Sequence, residues 1–179
     1  MSEQQLAETL SKAARAVLAD GMRKIEHCVA QLDEGQMWWR PNPEITESEM
    51  NSVANLLLHL SGNIRQWIVS GLGGTPDTRN RPAEFADRSQ RPKAETLGAL
   101  QQTIRESDAV LARLTSADYL ATRHIQGGDV NATVGLFKCL AHFGGHVQEI
   151  VHLTRNQLGM KYKFEFVPKP SQQGPHAKV

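Results

Sequence analysis

The sequence predicts an all-α protein, a four-helix bundle. Three observations point to it. Apolar side chains recur every three or four residues in four long stretches, at about 3–32, 53–72, 93–114 and 131–158. Proline- and glycine-rich breaks separate these stretches. Between the third and fourth stretches, 122–131 reads as a turn between two short extended pieces, with Gly127-Gly128 inside it.

The first helix carries Leu6, Leu10, Ala13, Val17, Ile25, Cys28 and Leu32 on one stripe, with Lys, Arg and Glu between them. Gly21 weakens its interior without breaking the period. Asp33-Glu34-Gly35 ends it, and Pro41 and Pro43 forbid continuation. The pair Trp38-Trp39 either caps the end of the bundle or lines a pocket mouth. Asn51 or Ser52 then caps the second helix, whose stripe is Val53, Leu56, Leu57, Leu60, Ile64, Trp67 and Ile68. Gly71, Gly73 and Gly74 stop it.

The link over 74–92 is far longer than the few residues that join antiparallel neighbours. A crossover between parallel neighbours needs such a length, so helices two and three are expected to run the same way. The link could also act as a lid. Its Arg79, Arg81, Glu84 and Phe85 suggest packing on the bundle surface. Helix three follows with Leu97, Leu100, Ile104, Leu111 and Leu114, and Ser116-Ala117-Asp118 ends or redirects it. The fourth helix starts near Asn131 and stops at Gly159. Leu136, Leu140, Phe143, Val147, Ile150, Val151 and Leu158 cover much of its circumference, the mark of deep burial. Gly144 and Gly145 inside it imply that another backbone or a ligand comes close. Met160–Phe166 reads as extended. The bundle is expected to span 1–167, with 168–179 as a mobile tail.

Composition excludes several classes. The formal net charge is +1 and no basic block follows one face, so nucleic acid is not an expected partner. The polar opening Met1-Ser2-Glu3-Gln4-Gln5 does not read as a secretory leader. No apolar run approaches the roughly 18–20 residues of a membrane span. Cys28 and Cys139 lie far apart in predicted helices and read as buried free thiols. The expected setting is cytoplasmic.

The chemistry gathers on three histidines. His142 and His146 are four apart in the fourth helix and so share a face. His59 stands among Leu56, Leu57, Leu58 and Leu60 in the second. Together they can form a three-nitrogen site for one divalent ion, with a position left open as in catalytic centres. Imidazole suits zinc, nickel and iron alike. Glu149, three residues beyond His146, is the catalytic candidate: a general base, an acceptor for an imidazole N–H, or a surface carboxylate. Gln148 is a weaker polar candidate. Asn55 and Asn63 flank His59 at four residues on either side and could supply polar contacts. His27 and His124 read as partly exposed or surface residues, and His152 is turned away from the pair.

The run Asn55-Leu56-Leu57-Leu58-His59-Leu60-Ser61-Gly62-Asn63-Ile64-Arg65-Gln66-Trp67, followed by His142-Phe143-Gly144-Gly145-His146-Val147-Gln148-Glu149-Ile150, resembles the DinB/YfiT-like metalloenzyme superfamily. Asp77–Phe85 is similar to the connector of one branch of it. The resemblance implies an up-down-down-up bundle, with His59, His142 and His146 as metal ligands and homodimers plausible. This chain departs from many relatives in carrying Gln148-Glu149 where they carry Gly-Gln. Characterised members include metal-dependent transferases that join low-molecular-weight thiols to electrophiles. The resulting expectation is a divalent-metal-dependent enzyme, thiol S-transferase-like, acting on a small electrophile. The alternatives are a metal-dependent hydrolase and a helical binding or interaction protein with structural histidines.

Overall fold

A computed structural model describes residues 2–42 and 50–165; the expected tail at 168–179 lies outside the described residues. The chain there is mostly helical. Its long elements are α1 (Glu3–Gln31), α3 (Val53–Ile64), α5 (Lys93–Leu111) and α7 (Ala132–Leu158). Shorter helices are α2 (Glu34–Trp38), α4 (Arg81–Ala86) and α6 (Ser116–Leu120), and one hairpin joins β1 (Thr122–Ile125) to β2 (Gly128–Asn131).

Helix α1 packs on α5 and α7, and α3 packs on the same two. Their inward stripes form one cluster of buried side chains, with Ile25, Leu56, Leu57, Leu60, Leu100, Leu111 and Phe143 at its centre. The start signals work as the sequence implies. Ser52 Oγ accepts the Asn55 N–H at 3.1 Å, and Asn131 Oδ1 accepts from the N–H groups of Thr133 and Val134. Gly159, at φ 51° and ψ −125°, ends α7 in a conformation open to glycine alone. The hairpin turns on Gln126 and Gly127, both at positive φ, which fits a two-residue turn matched to strand twist.

Several expectations are corrected. The second long helix is not α-helical throughout. From Arg65 to Leu72 it widens to π geometry, closed by the Gly73 N–H donating to the Ile68 carbonyl at 2.9 Å. Glycines permit this crowding: a Cβ on Gly71 would lie 2.5 Å from Ile125 Cδ1, and one on Gly73 2.7 Å from a Val110 methyl. Helix α5 ends at Leu111 rather than Leu114. A 3-10 turn, Gly159–Lys161, takes the first residues of the expected extended segment, and Tyr162 after it is extended at φ −63° and ψ 126°; Phe166 lies outside the described residues.

Among the described residues, no other backbone comes close to Gly144 or Gly145. A Cβ at either would meet nothing within 4 Å. The close approach is made on the facing helix instead, where a Cβ on Gly21 would stand 2.3 Å from Phe143 Cε1. That glycine lets the fully buried Phe143 ring sit against the α1 backbone. Trp38 packs on the core while Trp39 is exposed. No described helix is long and apolar enough to cross a membrane.

Candidate functional site

The packing of α3 on α7 brings His59 against His142 and His146. Helix α3 needs His59 on its buried side, because Leu56, Leu57 and Leu60 around it are wholly inaccessible. On α7 the four-residue spacing sets the other two rings edge to face, with centroids 4.5 Å apart; each is 5.1 Å from the His59 ring. His59 Nε2 and His142 Nε2 are 2.9 Å apart. One ligand nitrogen from each of the three histidines falls within 4.8 Å of the others. An ion held tetrahedrally at about 2.0–2.1 Å from each nitrogen would space them by about 3.3 Å. The cluster brackets that spacing, so the donor set fits a borderline divalent metal.

Two of the three rings are oriented by carboxylates. Glu149 Oε2 lies 2.6 Å from His146 Nδ1. Of its three expected roles, Glu149 thus occupies the position of imidazole acceptor. Glu84 Oε2 lies 3.0 Å from His59 Nδ1. When Nδ1–H donates to a carboxylate, Nε2 keeps its lone pair for a metal. The two Nε2 atoms of His59 and His142 already face each other.

Sequence reading missed Glu84 and its partner. Arg79, Arg81, Glu84 and Phe85 were expected to pack onto the bundle, and the segment does so, but nothing foretold that the side chains of Arg79 and Glu84 would be buried to 4% and 10% exposure. Arg79 grips Glu84 through two parallel bonds, Nε to Oε1 and Nη2 to Oε2, both 2.8 Å. Its Nη1 donates to Gln66 Oε1 at 2.9 Å. Helix α4 is held to the bundle by Asn55, whose amide donates to the carbonyls of Glu84 and Asp87. The slot for Glu84 exists because Gly62, three residues after His59, has no side chain: a Cβ there would lie 2.0 Å from Glu84 Oε1. A glycine on the histidine's own face was the available signal.

Electrostatics keep the site ready for a cation. Burial lowers the His59 pKa against the opposing pull of Glu84. Burial raises the Glu84 carboxyl, but Arg79 and His59 outweigh it and hold it below the ordinary range. His142 falls to about 4, through desolvation first and then repulsion from His146, His59, Arg79 and Arg81. A histidine with a depressed folded-state pKa is protonated more readily in the unfolded chain. The metal-free protein should therefore lose stability as pH falls from about 6.5 towards 4, with its urea midpoint shifting down. The His142→Gln variant should show a smaller shift.

The cluster opens on a cavity of about 320 Å³, lined by His59, His142, Asn63, Trp67, Arg79, Arg81, Gln126, Lys138 and Cys139. Cys139 is the nearest nucleophile candidate, yet burial pushes its thiol up to about 12, so it stays protonated. Both cysteines are free and buried, as expected. The remaining described histidines stay apart: His27 contacts the Lys163 carbonyl, His124 pairs with Asp129, and His152 bonds Asn156.

Residues 5–171 match the model of a family described as "Protein of unknown function (DUF1572)". The chain belongs to this family. No curated protein matches it. The DUF1572 match spans His59, the Arg79–Glu84 pair, His142 and His146, and so covers the whole site.

Proposed function

We propose that this DUF1572 protein is a divalent-metal-dependent enzyme whose ligands are His59, His142 and His146, and that it transfers a low-molecular-weight thiol to a small electrophile. The observation that carries the reading is the three-imidazole cluster with carboxylates on two of its outer nitrogens, beside an open cavity. A bound ion would supply Lewis acidity, lowering the pKa of a thiol or a water. The chain's own groups would do the rest. Glu84 and Glu149 fix the tautomers and ring planes of His59 and His146. Glu149 also has a second oxygen, on a side chain 40% exposed, that could take the proton a thiol gives up. Trp67 and Asn63 would position the electrophile in the cavity.

The same proposal places the family in the DinB/YfiT-like superfamily and takes the bundle as up-down-down-up. Residues 74–92 would then be the crossover that delivers Glu84 to His59. A screen of the metal-loaded protein with small thiols and aryl or alkyl electrophiles tests the function, with esters and amides in parallel. Thioether formation that vanishes in His142→Ala, with helicity retained by circular dichroism, is the expected result. Ester or amide cleavage without thiol would assign a hydrolase instead. Turnover unchanged by His142→Ala would sink the metal-dependent reading.

A further inference from the structure

We propose that the cavity beside the three histidines takes a substrate bearing one anionic group, a carboxylate or phosphate, held by Arg81 and Lys138. The inference rests on the metal-site reading for its reacting end, but the anion subsite itself stands on charge and geometry. Three cationic side chains line the cavity, Arg79, Arg81 and Lys138, and no carboxylate does among the described residues. Arg79 is neutralised by its fork on Glu84. Arg81 and Lys138 are left as a net positive pair, and a concave site lined by one sign of charge concentrates the opposite sign.

Both cations are placed at the histidines. The Arg81 guanidinium carbon sits 4.8 Å above the Phe85 ring, and that ring is 4.7 Å from the His59 ring. The stacking restrains a side chain that would otherwise sample solvent, while leaving its N–H fork available for an anion. Lys138 precedes His142 by four residues on α7 and therefore lies on the same face. The cavity of about 320 Å³ is at the small end of the range for small-molecule sites. A compact anion fits that space; a long chain or a polymer does not.

The test uses probes that share a two-methylene thiol arm and differ in the charge of the end group, at constant ionic strength. Zn²⁺-loaded protein is titrated calorimetrically with 3-mercaptopropionate, 2-mercaptoethanol and cysteamine. The anionic thiol should bind at least about tenfold tighter than the neutral one, as a charge-assisted hydrogen bond implies. Arg81→Gln/Lys138→Gln should erase that preference and leave the neutral thiol's affinity in place. In parallel, metal-free protein is titrated with malonate and with inorganic phosphate while the Trp67 indole N–H is followed by NMR. A shift with either anion, lost in the double variant, supports the subsite, and the larger response names the group. Equal affinities for the three thiols overturn the proposal. So does an indole signal that neither anion moves. Should the protein refuse Zn²⁺, the metal reading fails alone, because the metal-free titration still decides the anion site.

Discussion

Replacing His59 and His142 together by alanine should take bound divalent metal from about one equivalent per chain to none. The measurement is elemental analysis of protein purified without added metal or affinity tag. Each imidazole on its own is a modest ligand; the site's affinity comes from three nitrogens held within 4.8 Å by the packing of α3 on α7. Losing two leaves His146 alone, with its ring still tied to Glu149. Stability should follow occupancy. At a free metal concentration of 100 times Kd, the folded state gains about 2.7 kcal/mol. For a chain of this size that is roughly 5–11 °C in Tm. Chelator should remove this increment from the wild type and leave the double variant unmoved. If chelator leaves the wild-type Tm alone while His59→Ala lowers it, the histidines are structural and the enzyme reading falls.

The three histidines were legible in the sequence because helical spacing is a local rule. His142 and His146 share a face by arithmetic, and His59 is conspicuous among leucines that have to be buried. The helix starts near Asn51-Ser52 and Asn131 and a turn somewhere within 122–131 were legible for the same reason, since each rests on the chemistry of a few adjacent residues; the structure puts the turn at Gln126-Gly127. The π segment was not. Eight residues make only about two turns of either geometry, too few to read a period from, and the contacts of Ile125 and Val110 with two glycines there are tertiary. At Gly144 and Gly145 no backbone neighbour was found where one was expected, because glycine in a helix has a cost but no unique cause. The contact it suggested belongs to Gly21, on the helix opposite. Arg79 and Glu84 were hidden most thoroughly. In a loop rich in proline and charge, nothing local separates a solvated pair from one folded under the histidine that it orients.

Glu84 is therefore where the fold and the site are most tightly joined, and two substitutions there should separate its roles. Glu84→Ala leaves Arg79 with its side chain 4% exposed and no carboxylate to hold it. Removing one partner of a buried pair strands the other charge, at a cost of about 3–5 kcal/mol, and denaturant unfolding should show a loss of that size. Glu84→Gln is milder. The amide can still accept one bond, so the loop keeps more of its stability, but its attraction for the His59 Nδ1–H is much weaker. Loss of a partner of this kind typically costs about 10–100-fold in metal affinity, which competition with a chromophoric chelator would measure. Gly62→Ala supplies a control from the other side of the contact, since its Cβ would stand where Glu84 Oε1 now lies. It should reproduce the affinity loss without touching either charge. Unchanged affinity in both Glu84→Gln and Gly62→Ala would mean that His59 is oriented by its helix alone. The buried Arg79–Glu84 pair would then serve only to fasten α4 to the bundle.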